Sequence, residues 1–297
     1  LTPTKQIDES NYVARSSVKQ VYDQVIADLT DAVNKMPESN GFFANKYAAS
    51  AILARVYLQK GDYANAANAA TDVISADAYE LNEDYADEFP NPGQVHVDDT
   101  PEDIFAIQIT TQTGAYDGNT ASYLNTNWMN AFYASADNAG RGEIIIKDSF
   151  LESFEEGDER LTLFNPDGDG FLRVDKFNNV FGNVHIIRLA ELYLIRAEAN
   201  LRISGSSSIG DTPLNDVNMI RDRANLEPLA VVTINNVLTE RLHELAFEGG
   251  FFLHDARRNK QNINNLPYNS PKLVFPIPLR EINANPKLVQ NPGYSSN

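Results

Sequence analysis

The sequence contains no cysteine. This absence excludes disulfide bonds, thiol catalysis and zinc sites built on cysteine ligands. No apolar run approaches the roughly 18 residues that a membrane-spanning helix needs. The G-x-S-x-G, P-loop and G-x-G-x-x-G patterns are absent as well, so nothing supports a nucleophile-elbow hydrolase or a nucleotide-binding protein.

Positive charge is scarce: 24 Lys and Arg residues stand against 41 Asp and Glu residues, giving a net charge of −17. A chain this acidic repels the phosphate backbone of nucleic acids and an anionic membrane surface, so neither is expected as a partner. The first residues, LTPTKQIDES, lack an initiator Met and both the basic and the apolar region of a signal peptide. We therefore expect a processed or truncated end, from which an export signal can have been lost.

Hydrophobic residues make up 42% of the 297 residues, enough for one large domain or two ordinary ones. Between residues 17 and 36 apolar side chains recur at the i, i+3, i+4, i+7 spacing of an amphipathic helix. They are Val18, Val21, Tyr22, Val25, Leu29, Ala32, Val33 and Met36. Ser16 or Ser17 can cap this helix, and Pro37 ends it.

Residues 46–76 carry the spacing of a tetratricopeptide (TPR) helical hairpin. The positions concerned are Leu53, Ala54, Tyr57, Gly61, Tyr63 and Ala66. Small Ala54 and Ala66 allow two helices to approach closely, and Gly61 permits the tight turn between them. Ala70 and Val73 depart from the residue sizes of the full pattern, so the match is good without being complete.

Further helices are expected in the second half. A pair spans about residues 186–225, with Thr212 as the N-cap and Pro213 as the first helical residue of its second member. A third unit covers 236–248 with four apolar side chains facing inward, and two glycines end it. These four side chains are Leu238, Leu242, Leu245 and Ala246, and the glycines are Gly249 and Gly250.

The region from about residue 80 to 180 is rich in Pro, Gly and Asn and predicts long loops, which in compact domains are usually functional or disordered. Short strands are expected at 103–110 and 171–178. The tail from 266 to 297 is Pro-rich and extended. The sequence thus predicts a mainly α fold of TPR-like hairpins with a few accessory strands and long loops.

Four motifs, in order along the chain, resemble the SusD/RagB family. They are SSVKQVYDQVIADLTDAV, HIIRLAELYLIRAEANLR, ERLHELAFEGGFFLHDARR and the closing VFPIPLREINANPKLVQNPGY. The third carries the family pattern E-R-x-x-E-L-x-F-E-G followed by an aromatic, an Asp and an Arg pair. Its matching residues are Glu240, Arg241, Glu244, Leu245, Phe247, Glu248, Gly249, Phe252, Asp255, Arg257 and Arg258. The resemblance covers residues 16 to 294, although family members are longer and begin with a region absent here.

The resemblance implies a fold and a function. The fold is one α-α superhelical domain over residues 1–297, with TPR-like helices at about 16–76 and 186–258, a ligand-binding excursion at 80–180 and the extended tail. The function is non-catalytic capture of an oligosaccharide at the surface of the outer membrane, with delivery to a TonB-dependent (SusC-like) transporter. The resemblance also implies a lipid anchor in the absent N-terminal region. A TPR scaffold or a peptide-binding protein stays open as an alternative, and so does a hydrolase.

The candidate sugar site lies in the excursion 113–141, which holds the only Trp. Aromatic faces stack on the apolar face of a sugar, while amides and carboxylates bind its hydroxyls. The predicted ligand residues are Trp128, Tyr123, Tyr116, Asn127, Asn125, Asp117 and Tyr133. A loop pinned by buried aromatic side chains explains the same composition, and the sequence alone leaves both interpretations open.

The segment NPDGDGFLRVDK, residues 165–176, resembles the first half of a calcium-binding loop. Asn165, Asp167 and Asp169 would supply alternate oxygen ligands, but Lys176 stands where such loops carry a bidentate Glu. A β-turn built on Asp and Gly explains the segment as well. We predict no cofactor other than this calcium alternative.

Two further groups of residues resemble catalytic or metal-binding sites, but we interpret both as structural. Glu240, Glu244 and Glu248 share a helix face and are expected to pair with Arg257 and Arg258, because the second His of H-E-x-x-H is replaced by Phe247. The four histidines show no metal-ligand spacing, so a core or surface role is expected for each. They are His96, His185, His243 and His254.

Overall fold

A computed structural model describes residues 12–109, 128–203 and 207–295. Its helices are α1 (Val18–Lys35), α2 (Lys46–Lys60), α3 (Tyr63–Ile74), α4 (Trp128–Tyr133), α5 (Asp148–Leu151), α6 (Leu189–Arg202), α7 (Pro213–Arg223), α8 (Ile234–Glu244), α9 (Phe251–Arg258) and α10 (Leu279–Ala284). Its strands are β1 (Asp103–Ile107), β2 (Phe164–Pro166), β3 (Leu172–Val174) and β4 (Val184–Arg188). The mainly α fold with a few short strands is confirmed.

The chain divides into two compact units. One combines Leu1–Ala27 with Phe252–Asn297, and the other is Asp28–Phe251. The single domain over 1–297 stays a prediction. Within the described residues, none of the helices combines the length and the apolar character needed to cross a bilayer.

The α2–α3 hairpin forms as its spacing predicts. Asn45 caps α2 by accepting a hydrogen bond from the Ala48 amide. Gly61 ends the helix in the left-handed conformation, with φ of 82°, where glycine has no side chain to clash. Ala54 and Ala66 are completely buried, so the two helices pack closely at these positions.

Helices α6, α7 and α8 build the neighbouring layer. Thr212 caps α7 by accepting from the Asn215 amide, and Pro213 is its first residue, as expected. Helix α8 starts at a capping box between Thr233 and Asn236. The first residues of the predicted α6 helix belong instead to strand β4, because the apolar run there pairs with β1.

The inward face of α8 differs from the predicted one. Leu238 and Leu242 are only half-buried, whereas Val237, Glu240 and Glu244 are buried. The helix therefore turns two carboxylates toward the interior. This rotation places the acids within reach of cations on other elements, as described below.

Two antiparallel strand pairs accompany the helices. Strand β1 pairs with β4, so that Asp103 lies opposite Arg188 and Ala106 opposite His185. Strand β2 pairs with β3 as a hairpin. The expected strands at 103–110 and 171–178 are thus present in shortened form, since residues 175–177 form a turn of 3₁₀ helix.

Among the described residues of Asp28–Phe251, three apolar clusters form the core. The first joins α2, α3 and α6, and the third joins α6 with α7 and α8. The second lies beneath the loop-rich region and includes Met129, Phe164, Phe177 and Phe181. The excursion therefore has an apolar core of its own, on which α4 is mounted.

The unit that combines both chain ends is held largely by polar contacts. Arg15 donates to Asn291 Oδ1 at 2.6 Å, and Lys287 donates to the Tyr12 carbonyl at 2.7 Å. The Tyr294 hydroxyl donates to the Val274 carbonyl. The tail is extended apart from α10 and one turn of 3₁₀ helix at Pro271–Leu273.

Candidate functional site

Helix α4 presents two aromatic side chains to solvent. Trp128 and Phe132 are four residues apart and so share one helix face. Trp128 is 53% exposed and Phe132 39% exposed. Their rings meet edge to face, with centroids 6.5 Å apart and planes at 81°. The face of the indole is thus held in one orientation by a neighbouring ring.

The segment after α4 folds back and fixes this aromatic face. The amides of Arg141, Gly142 and Glu143 donate to carbonyls of residues 131, 134 and 132. The Arg141 guanidinium lies 4.6 Å from the centre of the Phe132 ring and 3.1 Å from the Glu143 carboxylate. A cationic and an anionic group therefore border the exposed rings, where they can reach hydroxyl groups of a ligand.

Close approach at this turn requires glycine. A Cβ on Gly140 would lie 2.1 Å from the Ala134 carbonyl oxygen and 2.7 Å from the Asn130 carbonyl oxygen. Both are backbone atoms and cannot rotate away. The returning segment can pack this closely against α4 only because residue 140 has no Cβ.

The opposite face of α4 anchors the helix. The Asn130 carboxamide is buried and donates to the carbonyls of Asn138 at 3.0 Å and Phe177 at 2.7 Å. The half-buried Tyr133 ring packs against Phe177 and Phe247, with centroid distances of 5.3 and 5.8 Å. Packing alone accounts for Tyr133, and its contact with sugar stays a prediction.

Of the seven predicted sugar ligands, the structure describes Trp128 and Tyr133. Trp128 is exposed, and Tyr133 faces the interior. The other five lie outside the described residues, and their roles stay predictions. They are Tyr116, Asp117, Tyr123, Asn125 and Asn127. The exposed Phe132 lies in the same excursion and is not among the seven predicted ligands.

An open cleft of about 530 Å³ lies among the segments 86–92, 163 and 175–178. Its lining includes Asp87, Asn91, Asp175 and Asn178. Asn178 donates to Asp175 Oδ1 at 2.8 Å, while its own Oδ1 accepts no hydrogen bond. The preceding Phe177 is the residue that binds Asn130 and packs on Tyr133, so the cleft and α4 share one supporting segment.

The segment predicted as a calcium loop is the turn of the β2–β3 hairpin. Asp167 Oδ1 accepts from the amides of Asp169 and Phe171, and Oδ2 accepts from Arg173 at 2.7 Å. The hydrogen bond from Arg173 lowers the pKa of Asp167. Asn165 donates to Asp175 at 2.6 Å. These contacts match the β-turn alternative, while calcium binding by Asn165, Asp167 and Asp169 stays a prediction.

Glu240 and Glu244 of α8, and Glu248 beyond its end, are buried and structural, as expected. Their expected pairing with Arg257 and Arg258 stays a prediction. Glu240 binds Arg160 at 2.8 Å and Arg221 at 2.9 Å. Glu244 binds Arg188 at 2.6 Å and also Arg223. Glu248 binds Lys176 at 2.7 Å and Arg188 at 2.9 Å. Arg258 forms an ion pair with Asp255 of its own helix.

Burial works against ionisation of these acids, and the cations overcome it. For Glu244, desolvation raises the pKa, but Arg223, Arg188 and Arg160 outweigh it and hold the pKa at about 2. For Glu248, Arg188 and Lys176 outweigh burial in the same way and give a pKa of about 2. A general acid needs a proton near neutral pH, so neither residue suits that role.

A second buried cluster joins Glu88, Asp103 and His185. His185 Nδ1 lies 2.6 Å from Asp103 Oδ1 and 3.3 Å from Glu88 Oε1. Burial disfavours the charged imidazole, but the two carboxylates outweigh it and raise its pKa to about 9. No local pattern in the sequence indicates this cluster, because its members lie up to 97 positions apart along the chain.

Two family models match the chain. One, described as the SusD family, matches residues 175–265 and 252–294. The other, described as starch-binding associating with outer membrane, matches residues 2–58. The first match contains the charged α8 motif and the closing motif, and the second contains the helix α1. Both agree with the resemblance read from the sequence.

Individual relatives support the same family. A SusD-like protein of Bacteroides ovatus is 26% identical over 273 residues, covering 77% of this chain and 49% of the relative. The chain thus spans about half the length of that protein. The crystal structure of a SusD superfamily protein from Bacteroides thetaiotaomicron has a TM-score of 0.77 and 27% identity, covering 96% of this chain and 69% of that chain.

A third relative carries a ligand. Surface glycan-binding protein A from Bacteroides thetaiotaomicron, in complex with laminarihexaose, has a TM-score of 0.79, covering 94% of this chain and 72% of that chain. Its identity to this chain is 20%, so the likeness is one of fold.

Proposed function

The chain belongs to the SusD-like family, and on that premise we propose that it binds an oligosaccharide through the exposed face of α4 without transforming it. The observation that carries the proposal is the Trp128 ring, which is exposed and held edge to face by Phe132. A fixed aromatic plane suits the flat C–H face of a sugar ring, because little conformational entropy is lost on binding.

Polar groups around the rings complete the proposed surface. Arg141 and Glu143 border Phe132 and offer donors and acceptors to sugar hydroxyls. A separate cleft lined by Asp87, Asn91 and Asp175 offers further carboxylate and carboxamide groups. We expect weak affinity for each sugar unit, as is usual for shallow wet sites.

A binding role is favoured over hydrolysis by the state of the buried acids. Glycoside hydrolases use two carboxyl groups on either side of a bound sugar. Here Glu240, Glu244 and Glu248 are each held by cations in the interior. The proposal therefore assigns capture to the α4 surface and assigns no catalytic residue.

Location and delivery follow from the family as part of the proposal. A lipid-anchored protein at the outer-membrane surface would pass its ligand to a TonB-dependent (SusC-like) transporter. The family model that matches residues 2–58 is described as starch-binding associating with outer membrane, and this description supports the proposed location. Co-purification of the tagged chain with a transporter encoded beside its gene tests the partnership.

The binding test compares two variants that each remove an aromatic side chain of similar fractional exposure. Trp128→Ala removes the proposed platform, and Phe252→Ala removes a ring of matching exposure, 52% against 53%, on another helix. Migration in native gels containing soluble glycans, among them starch and laminarin, measures retention. We expect retardation of the wild type and of Phe252→Ala by one glycan and at least a tenfold loss for Trp128→Ala.

Equal retention of wild type and Trp128→Ala would refute the α4 surface as the sugar site. Absence of retention for the wild type on every glycan would favour the alternative of a TPR scaffold or peptide-binding protein. Incubation of the wild type with the same glycans and assay of new reducing ends tests the non-catalytic assignment. Circular dichroism of each variant confirms that the fold is kept.

A further inference from the structure

The cluster of Glu88, Asp103 and His185 has the composition and the supports of a metal site. Its members come from three elements: the 3₁₀ helix Tyr85–Glu88, strand β1 and strand β4. One nitrogen and two carboxylate oxygens lie within 4.8 Å of one another. Glu88 is completely buried, and Asp103 is 6% exposed. Pairing of β1 with β4 is what brings Asp103 and His185 together.

The outer oxygen of each carboxylate is already fixed by hydrogen bonds. Glu88 Oε2 accepts from Asn82 at 2.7 Å and from the Thr100 hydroxyl at 2.5 Å. Asp103 Oδ2 accepts from the Thr100 amide at 3.0 Å. These contacts turn the inner oxygens toward the imidazole, as the second shell of a metal site does for its ligands.

The inner oxygen of Glu88 supplies an independent sign of a ligand. Glu88 Oε1 is buried and accepts no hydrogen bond. It lies 3.3 Å from His185 Nδ1, whose closer contact is the 2.6 Å one with Asp103 Oδ1. His185 is the cationic group nearest this oxygen but makes no hydrogen bond to it, and a buried carboxylate oxygen without a hydrogen bond is costly.

A small cavity lies beside the cluster. Its volume is about 10 Å³, close to the minimum for one water molecule. Asp103 and His185 line it together with Thr100 and Asn183, and the exposed Asp98 stands at its rim. The cavity offers space for a fourth ligand from solvent and a route by which an ion can enter.

From this geometry we propose that Glu88, Asp103 and His185 bind one divalent transition-metal ion, with a water molecule as the fourth ligand. Three protein ligands and one water make a tetrahedral set of the kind that Zn²⁺ accepts. An imidazole ligand selects such ions over Ca²⁺, which takes oxygen ligands. Binding of the ion would release the His185 proton, after which two carboxylates and a neutral imidazole balance the charge of a divalent ion. The ion would tie the loop-rich region to the β1–β4 pair.

The cations around the cluster are engaged elsewhere. Lys176, which also lines the cavity, donates to Glu248 Oε1 and to the carbonyls of Glu244 and Ala246. Arg188 donates to Glu102, Glu244 and Glu248. Among the described contacts, neither side chain donates a hydrogen bond to Glu88 Oε1 or Asp103 Oδ1. The proposed site is independent of the sugar-binding surface on α4.

Isothermal titration of EDTA-treated protein with ZnCl₂ tests the proposal. We expect one equivalent bound by the wild type and at least tenfold weaker binding by the isosteric variants Glu88→Gln and Asp103→Asn. The control His254→Gln removes an exposed histidine outside the cluster and should bind as the wild type does. CaCl₂ should give no saturable binding at this site.

Two further measurements keep the test decisive if a ligand variant unfolds. Thr100→Val removes the hydroxyl that orients Glu88 and should weaken Zn²⁺ binding about 10- to 100-fold, while Thr100→Ser keeps the hydroxyl and should not. In the wild type, the visible absorption of bound Co²⁺ should show a four-coordinate site. Absence of saturable Zn²⁺ binding, or equal binding by every variant, would overturn the proposal.

Discussion

Arg188 and Glu244 form an ion pair with 2.6 Å between Nη1 and Oε1, and both side chains are almost completely removed from solvent. Arg188 also donates to Glu102, Glu248 and the Glu244 carbonyl. The guanidinium therefore joins β4 to the end of α8 and to the turn before β1. A single side chain of this kind holds several elements in one geometry, and its loss leaves three buried carboxylates with less positive charge.

The first prediction concerns this arginine. Removal of one partner from a buried ion pair leaves an uncompensated charge, which typically costs about 3–5 kcal/mol. We expect Arg188→Met to lower the free energy of unfolding by about that amount in urea denaturation. Lys19→Met breaks an exposed pair with Asp23 and should change it by less than about 1 kcal/mol. Equal effects would show that the buried network contributes nothing special.

The second prediction concerns pH and His243. Its ring stacks on Phe154 with centroids 3.8 Å apart, and Ser153 Oγ lies 3.0 Å from Nε2. Burial and the nearby Arg160 lower its pKa from 6.5 to about 4, although Asp158 and Glu155 oppose this.

Between these two pKa values the unfolded chain binds a proton that the folded chain does not, so stability falls as pH falls. At about 1.4 kcal/mol for each pH unit, we expect a loss of about 2 kcal/mol between roughly pH 7 and pH 5. His243→Gln should lose this dependence. Glu244 and Glu248 have pKa values of about 2 in the folded chain and 4.5 as the ordinary value of an unfolded Glu. Their contribution to stability is therefore lost only as the pH falls below about 4.5, outside the range tested here for His243. If the free energy of unfolding of His243→Gln depends on pH as that of the wild type does, His243 is not the group responsible.

The third prediction concerns Gly140. Because a Cβ there would collide with two backbone carbonyls of α4 and its end, Gly140→Ala should lower the free energy of unfolding by about 2–3 kcal/mol. It should also weaken glycan retention, since the returning segment carries Arg141. Gly168→Ala is the matched control, because its Cβ would meet only the flexible Asp137 side chain. Thermal melts and glycan gels of the two variants measure both effects.

The fourth prediction concerns calcium. Both oxygens of Asp167 already accept hydrogen bonds from Asp169, Phe171 and Arg173. We therefore expect millimolar CaCl₂ to leave the melting temperature unchanged in wild type and in Asp167→Asn alike. A calcium-dependent rise that disappears in Asp167→Asn would establish the calcium loop that the spacing of residues 165–176 predicts.

Much of the helical architecture was predictable because its signals are local. The Asn45 and Thr212 caps, the Gly61 turn and the small Ala54 and Ala66 each act within a few residues. The boundary between β4 and α6 was not predictable from the sequence. Val184–Arg188 is apolar enough for a strand or a helix, and only its pairing with β1 makes it a strand.

The ion pairs and the cluster of Glu88, Asp103 and His185 could not be predicted from the sequence, for a different reason. Glu240 binds Arg160, 80 positions away, and His185 meets Asp103, 82 positions away. No local pattern encodes such pairs, because they arise only when strands and helices have packed. Trp128 could be predicted as a candidate because it lies in a segment rich in aromatic and amide side chains. Whether Phe132 or Tyr133 is exposed beside it could not be predicted, because that depends on which face of α4 packs against the core.

Tyr85 lies in the middle of the ionic core: its hydroxyl donates to the Glu244 carbonyl, and Lys176, Arg188 and Arg223 surround its ring. Burial first, and then the charge of Glu244, raise the pKa of this phenol well above 10. In an alkaline spectrophotometric titration the ionisation of this phenol is held back until the chain opens. The delayed phenolate absorbance thereby gives the interior of the protein a built-in optical marker of its own unfolding.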